Sequence, residues 1–166
     1  MKVIDNFLPP PYFDEIKSFM MGDSFPWYFN EGVTKIPEPN RFQFTHTFFT
    51  SLSEVKWNGA SSPYFDMWDI CLHALDCRKL YRIKANLIPR TFFHRKSGWH
   101  TDPQDHPLTA IFYINTNNGW TEFKKGRRVK CVENRIVIFD SKLEHRGVSS
   151  TNKKQRVVIN FNYEGN

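Results

Sequence analysis

Two histidines and one aspartate have the types and spacing of a metal-binding set. His100 and Asp102 are two residues apart, so on an extended strand, where side chains alternate between faces, both would point the same way. His145 lies far enough beyond Asp102 for several strands to return the chain to the same pocket. Two histidines and one carboxylate leave the opposite side of an ion open, which is the ligand set of non-haem Fe(II) oxygenases. The pattern predicts an iron centre.

Neighbouring residues leave the ligand assignment open. Asp105 and His106 follow Asp102 within four residues and offer the same ligand types. His94 would share a face with His100 if the strand were continuous. An HxD pattern by itself is also common by chance. The prediction therefore rests on the combination of HxD, a late histidine and a following arginine. His46 has no partner pattern and is interpreted as structural or surface-exposed.

A cationic anchor is the next requirement, if the cosubstrate is a dicarboxylic 2-oxo acid. The planar fork of an arginine is well suited to the far carboxylate of such a molecule. Arg156 opens the last predicted strand and would share a face with Val158, Asn160 and Asn162. Tyr113, on an earlier predicted strand, has a hydroxyl that could donate to the same carboxylate, and an ordinary barrel tyrosine explains it equally well.

Few elements are predicted before residue 80. Residues 2–7 alternate as a short strand, and a run of three prolines then begins a helix that extends from Tyr12 to Met21. Apolar spacings of three and four predict a second helix from Pro63 to Leu80. Between the two helices, residues 23–62 form a long aromatic-rich loop region with strand character near 41–50. Such a loop can be a lid, and its aromatic residues can equally pack the core.

From Tyr81 onward the pattern changes to period-two strands separated by turns containing Gly and Asn. The predicted strands are 81–87, 91–95, 98–101, 108–115, 121–123, 127–132, 135–139, 143–147 and 156–163. Helices followed by antiparallel strands predict an α+β protein with a jelly-roll core and N-terminal supporting helices. With no linker or repeat, the chain is interpreted as one domain, 1–166, comprising an N-terminal part, 1–79, and the core, 80–163.

Composition narrows the functional classes. The chain is 40% hydrophobic and 16% aromatic, which excludes disorder. A net charge of +6 leaves a polyanionic partner open, although the basic runs at 124–128 and 153–156 are better interpreted as solvated loop charge. Three cysteines without a CxxC pair indicate structural thiols in a reducing compartment. With no signal-peptide core and no apolar run of membrane length, we expect a cytoplasmic protein without a membrane partner.

Several motifs occur in the order found in one enzyme superfamily. They are Trp99-His100-Thr101-Asp102, Gly119-Trp120-Thr121-Glu122-Phe123, Ile138-Phe139-Asp140 through His145-Arg146-Gly147, and Arg156-Val157-Val158-Ile159-Asn160-Phe161. With these motifs, residues 80–163 resemble the Fe(II)/2-oxoglutarate-dependent oxygenases, particularly the prolyl 4-hydroxylase-like branch. The resemblance implies a double-stranded β-helix core preceded by that branch's N-terminal strand and helices.

Site residues also follow from the resemblance. It implies that Arg156 pairs with the far carboxylate of 2-oxoglutarate and that Tyr113 shares this carboxylate, as a tyrosine does in related hydroxylases. Asn86 and Asn160 are further candidates for facing the cosubstrate. Trp120 replaces the second glycine of the family's motif, and we expect it to alter the barrel rim near the substrate entrance. The implied iron ligands are His100, Asp102 and His145.

The resemblance implies a dioxygenase that uses Fe(II), 2-oxoglutarate and O2, with ascorbate as a candidate reductant. It would hydroxylate a C–H bond with release of succinate and CO2, and the expected substrate is a peptidyl or free amino acid such as proline. One alternative is a nucleic-acid-modifying oxygenase that demethylates or hydroxylates, because the chain is basic and aromatic residues such as Trp27 or Trp57 can stack on bases. The other alternative is a non-catalytic jelly-roll binding module, which has no need for a complete ligand set.

Overall fold

The computed structural model describes residues 1–32, 42–51, 62–102 and 107–165. Within them the chain forms ten strands, two α-helices and one short 3-10 helix. In chain order the elements are β1 (Lys2–Ile4), α1 (Pro10–Met21), β2 (Tyr28–Asn30), β3 (Gln43–Thr50), the 3-10 helix (Phe65–Trp68), α2 (Asp69–Ala74), β4 (Cys77–Pro89), β5 (Leu108–Tyr113), β6 (Trp120–Phe123), β7 (Arg128–Lys130), β8 (Arg135–Asp140), β9 (His145–Val148) and β10 (Gln155–Gly165).

The strands form two sheets. The larger has seven strands in the order β1-β8-β5-β10-β4-β3-β2, and the smaller has three in the order β7-β6-β9. All of the strand pairs are antiparallel. Consecutive strands β4 to β10 therefore cross repeatedly between two facing sheets, which is the jelly-roll arrangement predicted from the sequence.

Side-chain alternation gives the larger sheet two different faces. On β4 and β10, odd-numbered residues such as Ile83, Ala85 and Ile159 pack on one face with α1 and the 3-10 helix. The even-numbered residues point to the other face, toward the smaller sheet. There, an apolar cluster including Ile111, Tyr113, Phe123 and others lies between the sheets. The polar even-numbered residues of β4 and β10 therefore lie in the space between the sheets.

Helix α1 covers the apolar face for reasons visible in its sequence. Pro10 and Pro11 occupy its first turn, where their missing N–H groups are not needed. Phe13, Ile16 and Met20 recur at spacings of three and four, and all three are buried. The helix ends before Gly22, whose N–H donates to the Phe19 carbonyl oxygen.

The second predicted helix is much shorter in the structure. Helix α2 ends at Ala74, and Asp76 has a φ of 50°, which turns the chain into the long strand β4 at Cys77. The apolar residues predicted to extend this helix to Leu80 belong instead to the strand. The strand predicted at 91–95 is also wrong, because this segment has irregular backbone. The strand predicted at 98–101 is reduced to an isolated bridge between His100 and His145.

Candidate metal centre and cosubstrate pocket

His100 and His145 are held together by their backbones. The His100 N–H donates to the His145 carbonyl oxygen at 3.1 Å, and the His145 N–H donates back to the His100 carbonyl oxygen at 2.9 Å. This reciprocal bridge extends the smaller sheet beyond β9 and places the two imidazole centroids 4.4 Å apart. Asp102 is fixed two residues later by its own N–H, which donates to the Ser141 carbonyl oxygen at 3.2 Å.

The two imidazoles are oriented by backbone carbonyl oxygens. Nδ1 of His100 is 3.1 Å from the Gly98 carbonyl oxygen, and Nδ1 of His145 is 3.0 Å from that of Leu143. These carbonyls can only accept, so each Nδ1 carries the proton and each Nε2 keeps a free lone pair for a metal. Nε2 of His145 lies 4.0 Å from Oδ2 of Asp102. Two ligand atoms about 2 Å from one ion and at roughly a right angle are about 3 Å apart, so this pair would move closer together by about 1 Å when a metal binds.

The predicted ligand set is therefore assembled in the structure. One ligand atom from each of His100, Asp102 and His145 lies within 4.8 Å of the other two. Asp102 and His145 are buried, and His100 is partly buried. Burial lowers the pKa of His145 below its ordinary value, and neighbouring His100 adds to this; Asp102 and the Leu143 carbonyl act in the opposite direction. The neutral imidazole that results is the form that binds a metal.

A closed ring of polar contacts orients the Asp102 carboxylate. The Thr109 hydroxyl donates to Asp102 Oδ2 at 2.6 Å, and Asn162 donates to the Thr109 hydroxyl at 3.1 Å. Arg82 donates to the Asn162 amide oxygen at 2.8 Å and lies 3.6 Å from Asp102 Oδ1. The ring joins three neighbouring strands of the larger sheet to the metal ligand. Such outer contacts set the orientation and basicity of a ligand.

Arg156 lies buried in the same space without an anionic partner. Its Nε donates to the Cys131 sulfur at 3.1 Å and its Nη2 to the Thr121 hydroxyl at 3.2 Å. Among the described residues no carboxylate pairs with it. Burial raises the pKa of the Cys131 thiol, so this contact is to a neutral group. A buried arginine that contacts only neutral groups is costly, and a bound anion would offset that cost.

Tyr113 contacts the same hydroxyl as Arg156. Its phenol donates to the Thr121 oxygen at 2.8 Å, and the guanidinium carbon of Arg156 lies 6.0 Å from its ring centre. Burial raises the pKa of Tyr113 well above its ordinary value, so the phenol remains a donor. Thr121 therefore joins Arg156 to Tyr113. Arg156 and Thr121 line one polar end of the pocket, and Tyr113 contacts that end through Thr121.

One glycine is required beside Arg156. A Cβ atom on Gly119 would lie 2.7 Å from the Val148 carbonyl oxygen and 3.1 Å from Cδ of Arg156. Because a contact as short as the one to the Val148 carbonyl oxygen does not occur for real Cβ atoms, only glycine fits at this position beside the arginine stem. This explains the glycine that opens the Gly119-Trp120-Thr121 motif.

Both asparagine candidates border the pocket. Its lining extends from Arg156 to the histidine ligands and includes Asn86 and Asn160. Oδ1 of Asn160 is buried and has no hydrogen-bond partner among the residues that the structure describes. The remaining lining residues are Gln43, Ile88, Ser97, His100, Ile111, Thr121, His145, Gly147 and Val158.

The remaining histidines and alternative ligands named from the sequence lie outside the grouped metal ligands. His46 is structural, as predicted, with ring nitrogens 2.9 Å from the Pro26 carbonyl oxygen and 2.8 Å from the Ser62 hydroxyl. His94 is not among the grouped ligands, and its Nδ1 lies 2.8 Å from the Ser149 carbonyl oxygen. Asp105 and His106, the alternative ligands, and Trp57 lie outside the described residues.

Trp120, expected near the substrate entrance, does not line the pocket. Trp120 and Thr121 alternate along β6, and Thr121 faces the pocket, so Trp120 points to the outer face of the smaller sheet. There its ring packs on His94 and beneath the Arg128 guanidinium, with centre distances of 4.8 and 5.0 Å.

Sequence reasoning missed the residues that support the predicted ones. Arg82 and Thr121 were not proposed, although Arg82 shares strand parity with Asn86 and Thr121 belongs to the Gly119–Phe123 motif. Thr109 and Asn162 had a usable signal, since each shares strand parity with a proposed site residue, Tyr113 and Arg156 respectively.

Comparison with solved structures identifies the fold. A 2OG-Fe(II) oxygenase family oxidoreductase from Burkholderia pseudomallei superposes with a TM-score of 0.72 at 9% identity, covering 97% of this chain and 83% of the other. A Pseudomonas putida prolyl-4-hydroxylase gives 0.66 at 14% identity, covering 98% and 91%. The chain has the fold of the Fe(II)/2-oxoglutarate oxygenases. The predicted double-stranded β-helix core is thereby confirmed.

A third neighbour with this oxygenase fold was solved with a peptide. It is a Trichoplax adhaerens prolyl hydroxylase in complex with a peptide fragment of the hypoxia inducible factor oxygen degradation domain, with a TM-score of 0.63 at 12% identity, covering 98% of this chain and 82% of the other. No protein-family model and no curated protein matches the sequence. Among the residues that the structure describes, no helix is long and apolar enough to cross a bilayer.

The ring around Asp102 yields a test of the metal centre. Thr109→Val removes the hydroxyl that donates to Asp102 and keeps the side chain's shape, so Fe(II) affinity should fall about 10- to 100-fold. Thr101→Val is the matched control, because Thr101 is exposed between the two ligands. The measurement is anaerobic Fe(II) titration with circular dichroism to verify folding. Equal affinities in the two variants would mean that the ring does not support the ligand.

Proposed function

We propose that the protein is an Fe(II)- and 2-oxoglutarate-dependent dioxygenase that hydroxylates a C–H bond. The observation that supports this best is the combination, in one pocket, of a two-histidine, one-carboxylate set with a buried arginine that has no anionic partner among the described residues. The three ligand residues can hold a metal ion, and the buried charge of Arg156 can be compensated by an anion. 2-Oxoglutarate satisfies both, because its keto-acid end can chelate a metal while its far carboxylate reaches the arginine.

The donor set fits iron. Two imidazoles and a carboxylate on one side of the site match the facial set of non-haem Fe(II) centres, and bound iron would supply the activation of dioxygen there. In the overall reaction one oxygen atom of dioxygen enters the substrate C–H bond and the other enters succinate. Dioxygen gains four electrons, two from the substrate and two from 2-oxoglutarate, which leaves as succinate and CO2.

The chain's own residues have positioning roles in this proposal. His100, Asp102 and His145 hold the metal, while Thr109 keeps one Asp102 oxygen oriented. Arg156 holds the far carboxylate as a bidentate donor. Tyr113 is linked to Arg156 through the Thr121 hydroxyl. Asn86 and Asn160 would border the bound cosubstrate. The apolar cluster between the sheets excludes water behind the ligands. The same features argue against a non-catalytic binding module, to which a buried cation beside metal ligands gives no advantage.

The proposed substrate is a peptidyl or free amino acid, with proline as an example. This follows from the prolyl hydroxylases among the structures with the same fold, one of which holds a peptide. Ascorbate as a reductant and a cytoplasmic location belong to the same proposal. The ascorbate proposal rests on the sequence resemblance.

One surface favours a second candidate, a nucleic-acid-modifying oxygenase. A groove of about 290 Å³ adjoins the pocket and shares Ile88, Ser97 and Gly147 with it. Its outer wall carries Arg90, Arg95 and Phe92, and the Phe92 side chain is 90% exposed. Arginines beside an exposed aromatic ring are the elements that single-stranded nucleic acids bind.

The metal assignment is tested first. His145→Ala removes one of three ligands, so the weak visible charge-transfer band of an anaerobic Fe(II)/2-oxoglutarate chelate should appear in the wild type and be lost in the variant. Iron-dependent succinate release should disappear with it. His73→Ala is the control, because His73 lies on helix α2 and is exposed. Succinate release that persists in His145→Ala would exclude this ligand set.

The cosubstrate anchor is tested separately. Arg156→Lys keeps the charge and loses the planar fork, so the apparent affinity for 2-oxoglutarate should fall about tenfold or more. Fe(II) affinity without 2-oxoglutarate should stay unchanged, since the substitution leaves the metal ligands in place. Arg127→Lys, on the exposed turn between β6 and β7, is the control. Unchanged 2-oxoglutarate affinity in Arg156→Lys would remove this residue from the cosubstrate site.

The second candidate makes a salt-dependent prediction. If the groove binds nucleic acid, the affinity for a single-stranded oligonucleotide should fall steeply with salt, and Arg90→Ala with Arg95→Ala should reduce the slope by about one to two. Lys130→Ala with Lys153→Ala is the control on other exposed surfaces. Fluorescence anisotropy at several salt concentrations is the measurement. Equal losses in both double variants would indicate binding by overall charge alone.

A further inference from the structure

Lys84 points into the space between the sheets. It lies on β4 between Ile83 and Ala85, both of which pack into the core under the helices. Strand alternation therefore turns Lys84 to the opposite face, where Arg82 and Asn86 also lie. Arg82 contacts the ligand Asp102, and Asn86 lines the pocket. Lys84 is thus placed between a residue that contacts the metal centre and one that borders the cosubstrate.

No anion accompanies this lysine among the described residues. Its neighbours on the same face are Arg82 and Asn86 on β4, Thr47 opposite it on β3 and Asn160 opposite it on β10. None of these is acidic. Burial, and then the charge of Arg82, lower the pKa of Lys84 to about 8. A partly buried ammonium group without a counter-ion costs stability, and a bound anion would recover that cost.

Asn160 supplies the complementary feature. It is the direct cross-strand partner of Lys84, and such partners on one face have Cβ atoms about 4.5–5.5 Å apart. Its buried Oδ1 accepts no hydrogen bond although Asn160 borders the pocket. Within the described part of the chain, the Lys84 ammonium therefore has no anionic partner, and the neighbouring Asn160 Oδ1 has no hydrogen-bond donor. A ligand that satisfies both would carry an anionic group and an N–H donor close together.

The arginine proposed to anchor 2-oxoglutarate lies well along the strand from these groups. Arg156 is paired with Ile88, four residues along β4 from Lys84. At about 3.3 Å per residue, that spacing is about 13 Å along the backbone of the sheet. A carboxylate held by Arg156 is therefore anchored at one end of this span, and Lys84 lies at the other.

We propose that Lys84 and Asn160 bind the carboxylate and the amino group of a free α-amino acid, which is the primary substrate of this centre. The proposal rests on the dioxygenase function proposed above and selects among its substrates. An internal residue of a peptide has neither a free carboxylate nor a free amino group. A free amino acid has both, separated by a single carbon atom, and it leaves its side chain free to face the metal ligands.

Equilibrium dialysis of the full chain tests this inference. The anaerobic protein, with Fe(II) and 2-oxoglutarate and in parallel without them, is dialysed against a mixture of the proteinogenic L-amino acids, and bound species are quantified by mass spectrometry. We expect at least one amino acid to be retained. The α-carboxamide and the N-acetyl derivative of that amino acid should each bind at least about tenfold more weakly than the free amino acid. Lys84→Met should lose about 10- to 100-fold in affinity, as expected for a hydrogen bond to a charged group.

Matched variants distinguish a loss of the binding site from a loss of folding. Lys84→Arg should retain most of the binding, and Asn160→Ala should weaken the free amino acid more than its N-acetyl derivative. Lys130→Met, at an exposed lysine on the smaller sheet, should bind like the wild type. The Fe(II)/2-oxoglutarate band should be the same in the wild type and in Lys84→Met, because the substitution leaves the ligands and Arg156 in place.

Several results would overturn the inference. Equal retention of the amino acid by the wild type and Lys84→Met would exclude Lys84 as its partner. Retention of the amide as strong as that of the acid would exclude carboxylate recognition. Lys84-dependent binding of inorganic phosphate, added as a second probe, without binding of any amino acid would assign the site to a phosphorylated substrate. A normal chelate band without any bound amino acid would reject the substrate class alone, whereas loss of the band in the wild type would reject the dioxygenase function.

Discussion

The backbone bridge between His100 and His145 is the constraint on which the site depends. It joins a segment with irregular backbone to the first residue of β9 through two hydrogen bonds, and no side chain is needed to form it. Because the two residues that form this bridge carry the imidazoles, the separation of the imidazoles is fixed before a metal binds. Carbonyl oxygens then fix the tautomers. A preformed site of this kind avoids much of the ordering cost of metal binding.

Strand alternation decides where polar groups can be placed. On β4 and β10 one residue parity enters the apolar core under the helices, and the other provides Arg82, Asn86, Arg156 and Asn160 to the space between the sheets. A shift of one residue in the register of either strand would exchange the two sets and bury the charges in the apolar core. The core therefore enforces the arrangement of the site, although it contacts no ligand.

The features that could be predicted from the sequence depend on short-range residue spacing or on strand periodicity. The spacing of His100 and Asp102 and the parity of Arg156 with Asn160 can be read from the sequence, because each depends on alternation within one short segment. The ring linking Asp102 to Arg82 was not predictable, since Arg82 lies on a different strand and its contact depends on sheet register. The helix predicted to reach Leu80 failed because its apolar spacing continues across the turn at Asp76, where the backbone conformation changes.

Three cations face the space between the sheets, and their surroundings differ. Arg82 is engaged with Asp102 and Asn162, so its charge is already compensated. Arg156 contacts only a thiol, a hydroxyl and an aromatic ring. Lys84 has no anion among the described residues. The register separates Lys84 from Arg156 by four residues of β4, about 13 Å along the backbone of the sheet. In the proposals made above, the far carboxylate of the cosubstrate compensates Arg156 and the carboxylate of a free amino acid compensates Lys84, so the two cations divide the pocket between cosubstrate and substrate.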